Sequence, residues 1–293
     1  MSFKFNFSSG DKNSPEPDES SKQMEYAKCE CTEVIPNIKL DLNNLAGKVK
    51  MFVCGDLEIG HVAAKEAMLQ IGTVDNDLQN AIELAEKKHS DLEPGKYEGG
   101  LKIWECTSDL LSYLIPNPDD INYETAKVMD LGCGAGILGI YAFMSGARVT
   151  FQDYNKEVLK FLTIPNVLLN IDDCENCQDI KNCKFYSGDW ESFNMKLGDG
   201  ELYDVILTSE TIYNPANYSK LVQLFIQRLT KDGIAYVAAK TYYFGVGGGM
   251  RQFETEVTNS GMLKCVVCWK SQNTEGIQRE ILKVTRNDIF VIE

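Results

Sequence analysis

The chain is 293 residues long, 44% hydrophobic and 25% charged, and its 29 basic against 43 acidic residues give a formal net charge of −14. That make-up suits a soluble protein with room for one large domain and extensions, and no apolar run approaches the length that spans a bilayer. The acidic balance argues against a direct nucleic-acid ligand, which needs a basic surface. It leaves open plain solubility or the attraction of a basic protein partner.

Residues 1–7 (MSFKFNF) show no apolar core followed by a small-residue cleavage site, which predicts a cytoplasmic setting, with the nucleus as second compartment. Residues 8–33 are rich in Ser, Asp, Glu, Lys and Pro and poor in large apolar side chains, so a mobile arm is expected over residues 1–45. Within it Phe3, Phe5 and Phe7 alternate, as a short docking strand or a disordered tip would. Residues 61–71 and 76–88 mix apolar and charged positions at helical spacing and predict a helical extension over residues 46–95. The loop SDLEPG, residues 90–95, separates it from a main domain over 96–293.

The main domain alternates strand, turn and helix. Short apolar runs predict strands at 127–131, 148–152, 185–187, 205–209 and 234–239. Helical composition covers 108–115, 137–144, 156–170 and 218–229. Two last strands, 263–269 and 280–284, follow one another without a helix between them and read as a hairpin closing one edge. The expected fold class is therefore α/β: a Rossmann-like, seven-stranded, mostly parallel sheet with helices on both faces and an antiparallel edge hairpin. The ten cysteines include two CxxC pairs, Cys174/Cys177 in a polar insertion and Cys265/Cys268 in a strand. Their separation favours unpaired thiols over a shared metal. His61 and His89 have no ligand spacing either, and no metal site is expected.

Asp130-Leu131-Gly132-Cys133-Gly134-Ala135-Gly136 is a strand end followed by alternating glycines, which let the backbone turn tightly beneath a nucleoside. Gly134, Gly136 and Gly139 also satisfy G-x-G-x-x-G, so a nicotinamide dinucleotide stays formally open. Asp130, two residues before Gly132, instead suits the cationic amino-acid end of S-adenosylmethionine, which carries no phosphate. Asp153 ends the next strand, about twenty residues after the turn, where a carboxylate accepts both ribose hydroxyls of either cofactor. Gly188, Asp189 and Trp190 end the third strand with an acid for the adenine amino group and a ring to wall its face. Trp104 is a second flat side chain that either contacts the ligand or fills the core.

Residues 97–107 (YEGGLKIWECT), 130–136 (DLGCGAG), 152–155 (QDYN), 208–215 (TSETIYNP) and 243–249 (YFGVGGG) together resemble the histidine protein methyltransferases, the methyltransferase-like-18 branch of the seven-stranded S-adenosylmethionine methyltransferases. The resemblance runs from about Ser90 to residue 293. It implies S-adenosylmethionine as cofactor, contacted by Ile103, Trp104, Glu105, Cys106, Thr107, Gly132, Gln152, Asp153, Tyr154, Gly188, Asp189, Trp190 and Ser209. It also implies methylation of one imidazole nitrogen of a histidine in a basic protein of the large ribosomal subunit. The shorter arm and the insertion at 172–184 depart from that family and leave the target protein open.

Methyl transfer from a sulfonium is an in-line displacement, and imidazole is substantially neutral near pH 7, so no strong general base is required. A group is needed that accepts the proton on the other ring nitrogen. Glu210, Tyr213 and Asn214, after the fourth strand, are the candidates, Glu210 first; its alternative role is to shape the loop. Gly134 belongs to the cofactor turn, and the glycines of 245–249 either flank the target peptide or form a plain turn. The chain is expected to act as a monomer. Competing readings are a lysine methyltransferase, since Glu210 and Tyr213 also fit E-x-x-Y, an escort of a ribosomal protein with a vestigial site, and a nicotinamide oxidoreductase.

Overall fold

The computed structural model of the protein describes residues 29–37, 45, 47–88, 90–117, 120–171, 179–272 and 276–287. Most of the expected arm, with Phe3, Phe5 and Phe7, lies outside these residues, as do Cys174, Cys177 and His89. The described part of the arm is tied down. Cys31 and Val34 are buried, and between them β1 (Thr32–Glu33) pairs antiparallel with Tyr186 and Ser187 at the sheet edge. Averaging over residues 8–33 hid this short apolar stretch, whose burial and edge pairing outweigh the polar bias. The extension also departs from an all-helical reading. β2 (Val49–Cys54) and β3 (Leu57–Val62) form a hairpin about Gly55-Asp56, a two-residue turn whose glycine signal precedes the helical pattern. The helices α1 (Ala64–Gly72) and α2 (Asn76–Lys87) follow, so His61 lies on a strand. Asp75 caps α2 by accepting from the Leu78 N–H at 2.9 Å.

Helix α3 (Glu105–Leu114) starts three residues before the expected 108, because Trp104 is extended (φ −95°, ψ 157°) and Glu105 suits the positive end of the helix. All seven predicted strands then form: β4 (Lys127–Leu131), β5 (Arg148–Asp153), β6 (Cys183–Ser187), β7 (Tyr203–Ser209), β8 (Leu229–Lys240), β9 (Leu263–Lys270) and β10 (Arg279–Arg286). With β1 as an eighth strand the order is β1-β6-β5-β4-β7-β8-β10-β9. Neighbours from β6 to β8 are parallel, and β10 is antiparallel to both β8 and β9.

The near-continuous apolar runs of β4 and β5 are explained by burial on both faces. Along β8, Tyr236 and Ala238 enter one core while Ala235, Val237 and Ala239 enter the other, as a period of two requires. The first core is completed by α2, α3, α4 (Ile137–Met144), α5 (Lys156–Val158) and α6 (Ile164–Leu169). The second is completed by α7 (Trp190–Lys196), α8 (Tyr218–Arg228) and α9 (Met250–Asn259), through Phe193, Phe225 and Phe253. Cys265 packs with the second core and Cys268 with the first, so this CxxC pair straddles the sheet. All eight cysteines among the described residues are free thiols.

Two features prepare a site. The expected helix 156–170 is interrupted between α5 and α6 by a π turn, Leu159–Thr163, which ends two residues before Pro165, a residue with no N–H to donate. The wider turn presents Thr163 and Asn166 to the carbonyls of Gly134 and Ala135, at 2.6 and 2.8 Å. The chain also reverses direction across the sheet between β4 and β7, and ligands in such sheets bind at the carboxyl ends beside that switch. No helix among the described residues is long and apolar enough to cross a membrane.

Candidate active site

The carboxyl ends of β4 to β7 open into a cleft of about 920 Å³, open solvent included, within the range of ligand sites. Its floor is the glycine turn. Gly134 has φ +50°, and a Cβ there would stand 2.9 Å from the Gly100 carbonyl oxygen, so the left-handed backbone and the close approach both require glycine. Asp153 Oδ2 accepts from the Gly134 N–H at 2.8 Å and Oδ1 from the Asn155 N–H at 3.0 Å. Each oxygen keeps acceptor capacity toward the cleft, as a ribose requires. Asp130 Oδ2 accepts from the Gly139 N–H in the first turn of α4, at 2.8 Å. That carboxyl group already takes the helix-end N–H that a dinucleotide fold offers to its pyrophosphate. The floor therefore fits a nucleoside without phosphate.

Both acids are buried without an ion-pair partner among the described residues. Burial raises Asp130 to about 8, aided by the nearby Asp153 charge, and raises Asp153 to about 6 against its backbone hydrogen bonds. A cationic ligand would restore both charges, which is the charge character of a sulfonium with an ammonium group. A carboxyl group raised from 3.8 to about 8 favours the fold fully below about pH 4, and this contribution is lost as the pH rises toward 8. The cofactor-free protein should therefore lose stability between pH 5 and 8, on the order of a few kcal/mol from Asp130. Asp130→Asn, which keeps an acceptor for Gly139, should flatten the fall of Tm across that window apart from a smaller slope due to Asp153 below pH 6. Equal slopes in both proteins would contradict this assignment.

One end of the cleft is walled by Tyr154, Gly188, Asp189 and Trp190. The carboxylate of Asp189 is already engaged: Oδ1 caps α7 through the Glu191 N–H at 2.9 Å, and Oδ2 holds the Lys220 ammonium at 2.5 Å. An adenine amino group would have to share these oxygens. Gln152 lies beneath the wall and not on it. Its Oε1 accepts from Trp190 Nε1 at 2.9 Å and its Nε2 donates to the Gly188 carbonyl at 2.8 Å, so it positions the wall from behind. Residues 99–107 roof the cleft. Ile103, Trp104 and Thr107 line it together with Ser209, which shares a 2.9 Å hydrogen bond with Thr107. Glu105 and Cys106 turn away: Glu105 pairs with Lys240 at 3.4 Å near the surface, and Cys106 is fully buried beside Glu210.

A second, more open hollow of about 1070 Å³, open solvent included, adjoins the first. Glu98, Trp104, Glu210 and Tyr213 form the wall common to both. Glu210 is the one non-glycine residue with positive φ (58°) among the described residues, a strained backbone of the kind that collects at functional sites. Its Oε2 accepts from the Tyr243 hydroxyl at 2.7 Å. Its Oε1 is buried with no hydrogen-bond partner; the nearest cation, Lys240 Nζ, is 3.8 Å away. Burial and this carboxylate push both the Cys106 thiol and the Tyr243 hydroxyl far above their usual ranges, so neither ionises beside it. Tyr213 donates to Glu98 Oε2. Asn214 lies outside both hollows and caps the next turn, accepting from the Ala216 N–H at 3.0 Å.

The glycine loop closes the second hollow, and its base is fixed. Gly248 donates to the Tyr213 carbonyl at 3.0 Å, and a Cβ there would come within 2.3 Å of the same oxygen, so any other residue would separate the loop from Tyr213. Tyr242, Phe244, Val246 and Ile277 stand exposed around the rim. Sequence reasoning did not single out Glu98, Lys240 or Tyr243. Glu98 and Tyr243 lie in the two quoted stretches YEGGLKIWECT and YFGVGGG; Lys240 ends a strand and carried no local signal.

A family model described as lysine methyltransferase matches residues 86–244. The histidine protein methyltransferase 1 homolog of Dictyostelium discoideum is 44% identical over 200 residues, covering 67% of this chain and 60% of that protein. Its Bos taurus namesake is 41% identical over 224 residues, covering 64% of this chain and 60% of that protein. The chain thus spans about three fifths of the length of these relatives. A solved structure from Streptococcus mutans, described as a SAM-dependent methyltransferase, aligns with a TM-score of 0.50 at 14% identity, over 80% of this chain and 55% of that one. At that identity the likeness is one of fold.

Proposed function

This chain belongs to the methyltransferase family described as lysine methyltransferase, and within it we propose that it methylates histidine, transferring the methyl of S-adenosylmethionine to an imidazole nitrogen of a protein. The observation that carries this reading is Glu210 Oε1, a buried acceptor without a hydrogen bond, set in the wall between a nucleoside-sized cleft and an open hollow. A buried acceptor left unmatched is costly, and the N–H of a neutral imidazole satisfies it. Relatives named as histidine methyltransferases add support.

The residues fit S-adenosylmethionine: Asp153 would hold the ribose, Tyr154 and Trp190 the base, and Asp130 and Gly132 the amino-acid end. When bound, the cofactor supplies a methyl group on a sulfonium. Glu210 Oε1 accepts the N–H of the target ring and turns the other nitrogen toward the cleft. Held in this way, that nitrogen would present its lone pair in line to the methyl group that the bound cofactor would supply. The remaining ring N–H stays hydrogen-bonded to the Glu210 carboxylate while the ring is cationic, and that proton leaves to solvent on release, since an imidazolium has a pKa of about 6.5. Tyr243 holds the carboxylate in place through Oε2, and Tyr213, Glu98 and Trp104 keep water from the reacting atoms.

The substrate we propose is a basic protein of the large ribosomal subunit, which the net charge of −14 would attract. Its peptide would lie across the exposed rim. Phe244→Ala should then raise KM for the protein substrate about fivefold, with kcat and cofactor affinity unchanged; an unchanged KM would remove the rim from the account. The reading as a whole is tested by calorimetric titration with S-adenosylmethionine, then transfer of its labelled methyl to a ribosomal-protein extract. Saturable binding and labelled protein are expected. Absence of binding would favour an escort without catalysis.

A further inference from the structure

Lys240 stands at the end of β8, beside the acceptor position and outside the cofactor cleft. Its side chain is only 18% exposed. The ammonium is 3.8 Å from Glu210 Oε1, too far for a hydrogen bond, 3.4 Å from Glu105 Oε2, and 5.4 and 5.9 Å from the ring centres of Trp104 and Tyr243. It thus balances the charge of Glu210 without filling the bond that Oε1 has free.

From this arrangement, and resting on the acceptor role given to Glu210 above, we infer that Lys240 is a charge filter restricting the site to neutral nucleophiles. Without Lys240, Glu210 together with Glu98 and Asp91 on the same hollow would attract an ammonium to Oε1. With Lys240 present, an ammonium bonded to Oε1 could lie no more than about 6.6 Å from the Lys240 nitrogen. Repulsion at that distance disfavours it by roughly fiftyfold. A lysine ammonium, which has no lone pair to offer, is thus kept from resting on Oε1, whereas a histidine binds neutral and meets the Lys240 charge only as its own charge develops during transfer. The exposed Glu105 carboxylate, 61% accessible, is screened by water and only partly offsets the cation. In this reading Lys240 is a specificity residue that need not touch the methyl.

The test uses the full chain, methyl-labelled S-adenosylmethionine and a ribosomal-protein extract, with acid hydrolysis and separation of labelled methylhistidine from methyllysine. Wild type should label histidine. Lys240→Gln should raise the ratio of methyllysine to methylhistidine at least about tenfold, while Lys240→Arg, which keeps the charge, should keep the wild-type ratio. Lys240→Met, with no charge and similar length, replaces the Gln variant if that variant fails to bind cofactor, with the same expectation. An unmoved ratio in the uncharged variant overturns the filter alone. So does a variant that binds cofactor normally yet labels neither acceptor, which would place Lys240 in the transfer machinery. Wild type that labels lysine overturns the histidine reading itself, together with the filter.

Discussion

Glu210→Gln should lower methyl transfer by about a hundredfold and leave cofactor affinity within a factor of three. The amide has one acceptor where the carboxylate has two. Tyr243 donates at 2.7 Å to Oε2, so the amide oxygen is drawn to that side and its NH₂ group faces the substrate. Two donors, the amide and the imidazole N–H, would then meet, and the ring would turn its wrong nitrogen to the cleft. The change also removes the charge that stabilises the ring as it becomes cationic. Steady-state transfer together with calorimetry separates the two effects. Full activity with unchanged binding would mean that Glu210 only shapes its loop, a role its positive φ and its N–H bond to the Ala238 carbonyl would also explain.

Asp153→Ala should weaken cofactor binding by a hundredfold or more, the loss of two charge-assisted hydrogen bonds worth about 1.5–3 kcal/mol each. It should also destabilise the fold, because the buried Gly134 and Asn155 N–H groups lose their acceptor, at about 1–3 kcal/mol for each group left unmatched. Asp153→Asn separates these outcomes. Its carbonyl can still serve one of the two amides, so most of the Tm should return, while affinity stays low because the charge is gone. Since burial raises Asp130 to about 8 and Asp153 to about 6, wild-type affinity should fall as the pH drops below 8 and more steeply below 6. Affinity that is flat with pH, or unaltered in the Ala variant, would remove Asp153 from the cofactor site.

The central fold was legible because the signals were local and repeated. The apolar runs of β4 and β5 and the glycines after Asp130 each state their own structure, and burial on both faces makes them hard to misread. What was missed depended on partners distant in sequence. The β1 strand holds only Thr32 and Glu33 and is defined by the open edge of β6, which no window average detects. The hairpin of β2 and β3 packs its backbone on Asn166 and Asn170, more than a hundred residues away.

The site divides the same way. Asp130, Gly134, Asp153, Trp190, Glu210 and Tyr213 face the cleft, as strand ends and turns at a sheet's carboxyl edge tend to. Gln152 and Asn214 sit in the same short motifs but point elsewhere, because alternation along a strand and the capping of a turn turn them away. Glu98 and Lys240 enter only when residues 98, 213 and 240 are brought together by folding. Sequence alone assigns neither a partner.

The claim that the acceptor is a histidine is tested most directly by tandem mass spectrometry of the proteins labelled by this chain and methyl-labelled S-adenosylmethionine in a ribosomal-protein extract. The account predicts the methyl on a ring nitrogen of a histidine, at a site left unlabelled by Glu210→Gln. A methyl on a lysine ε-nitrogen would contradict it.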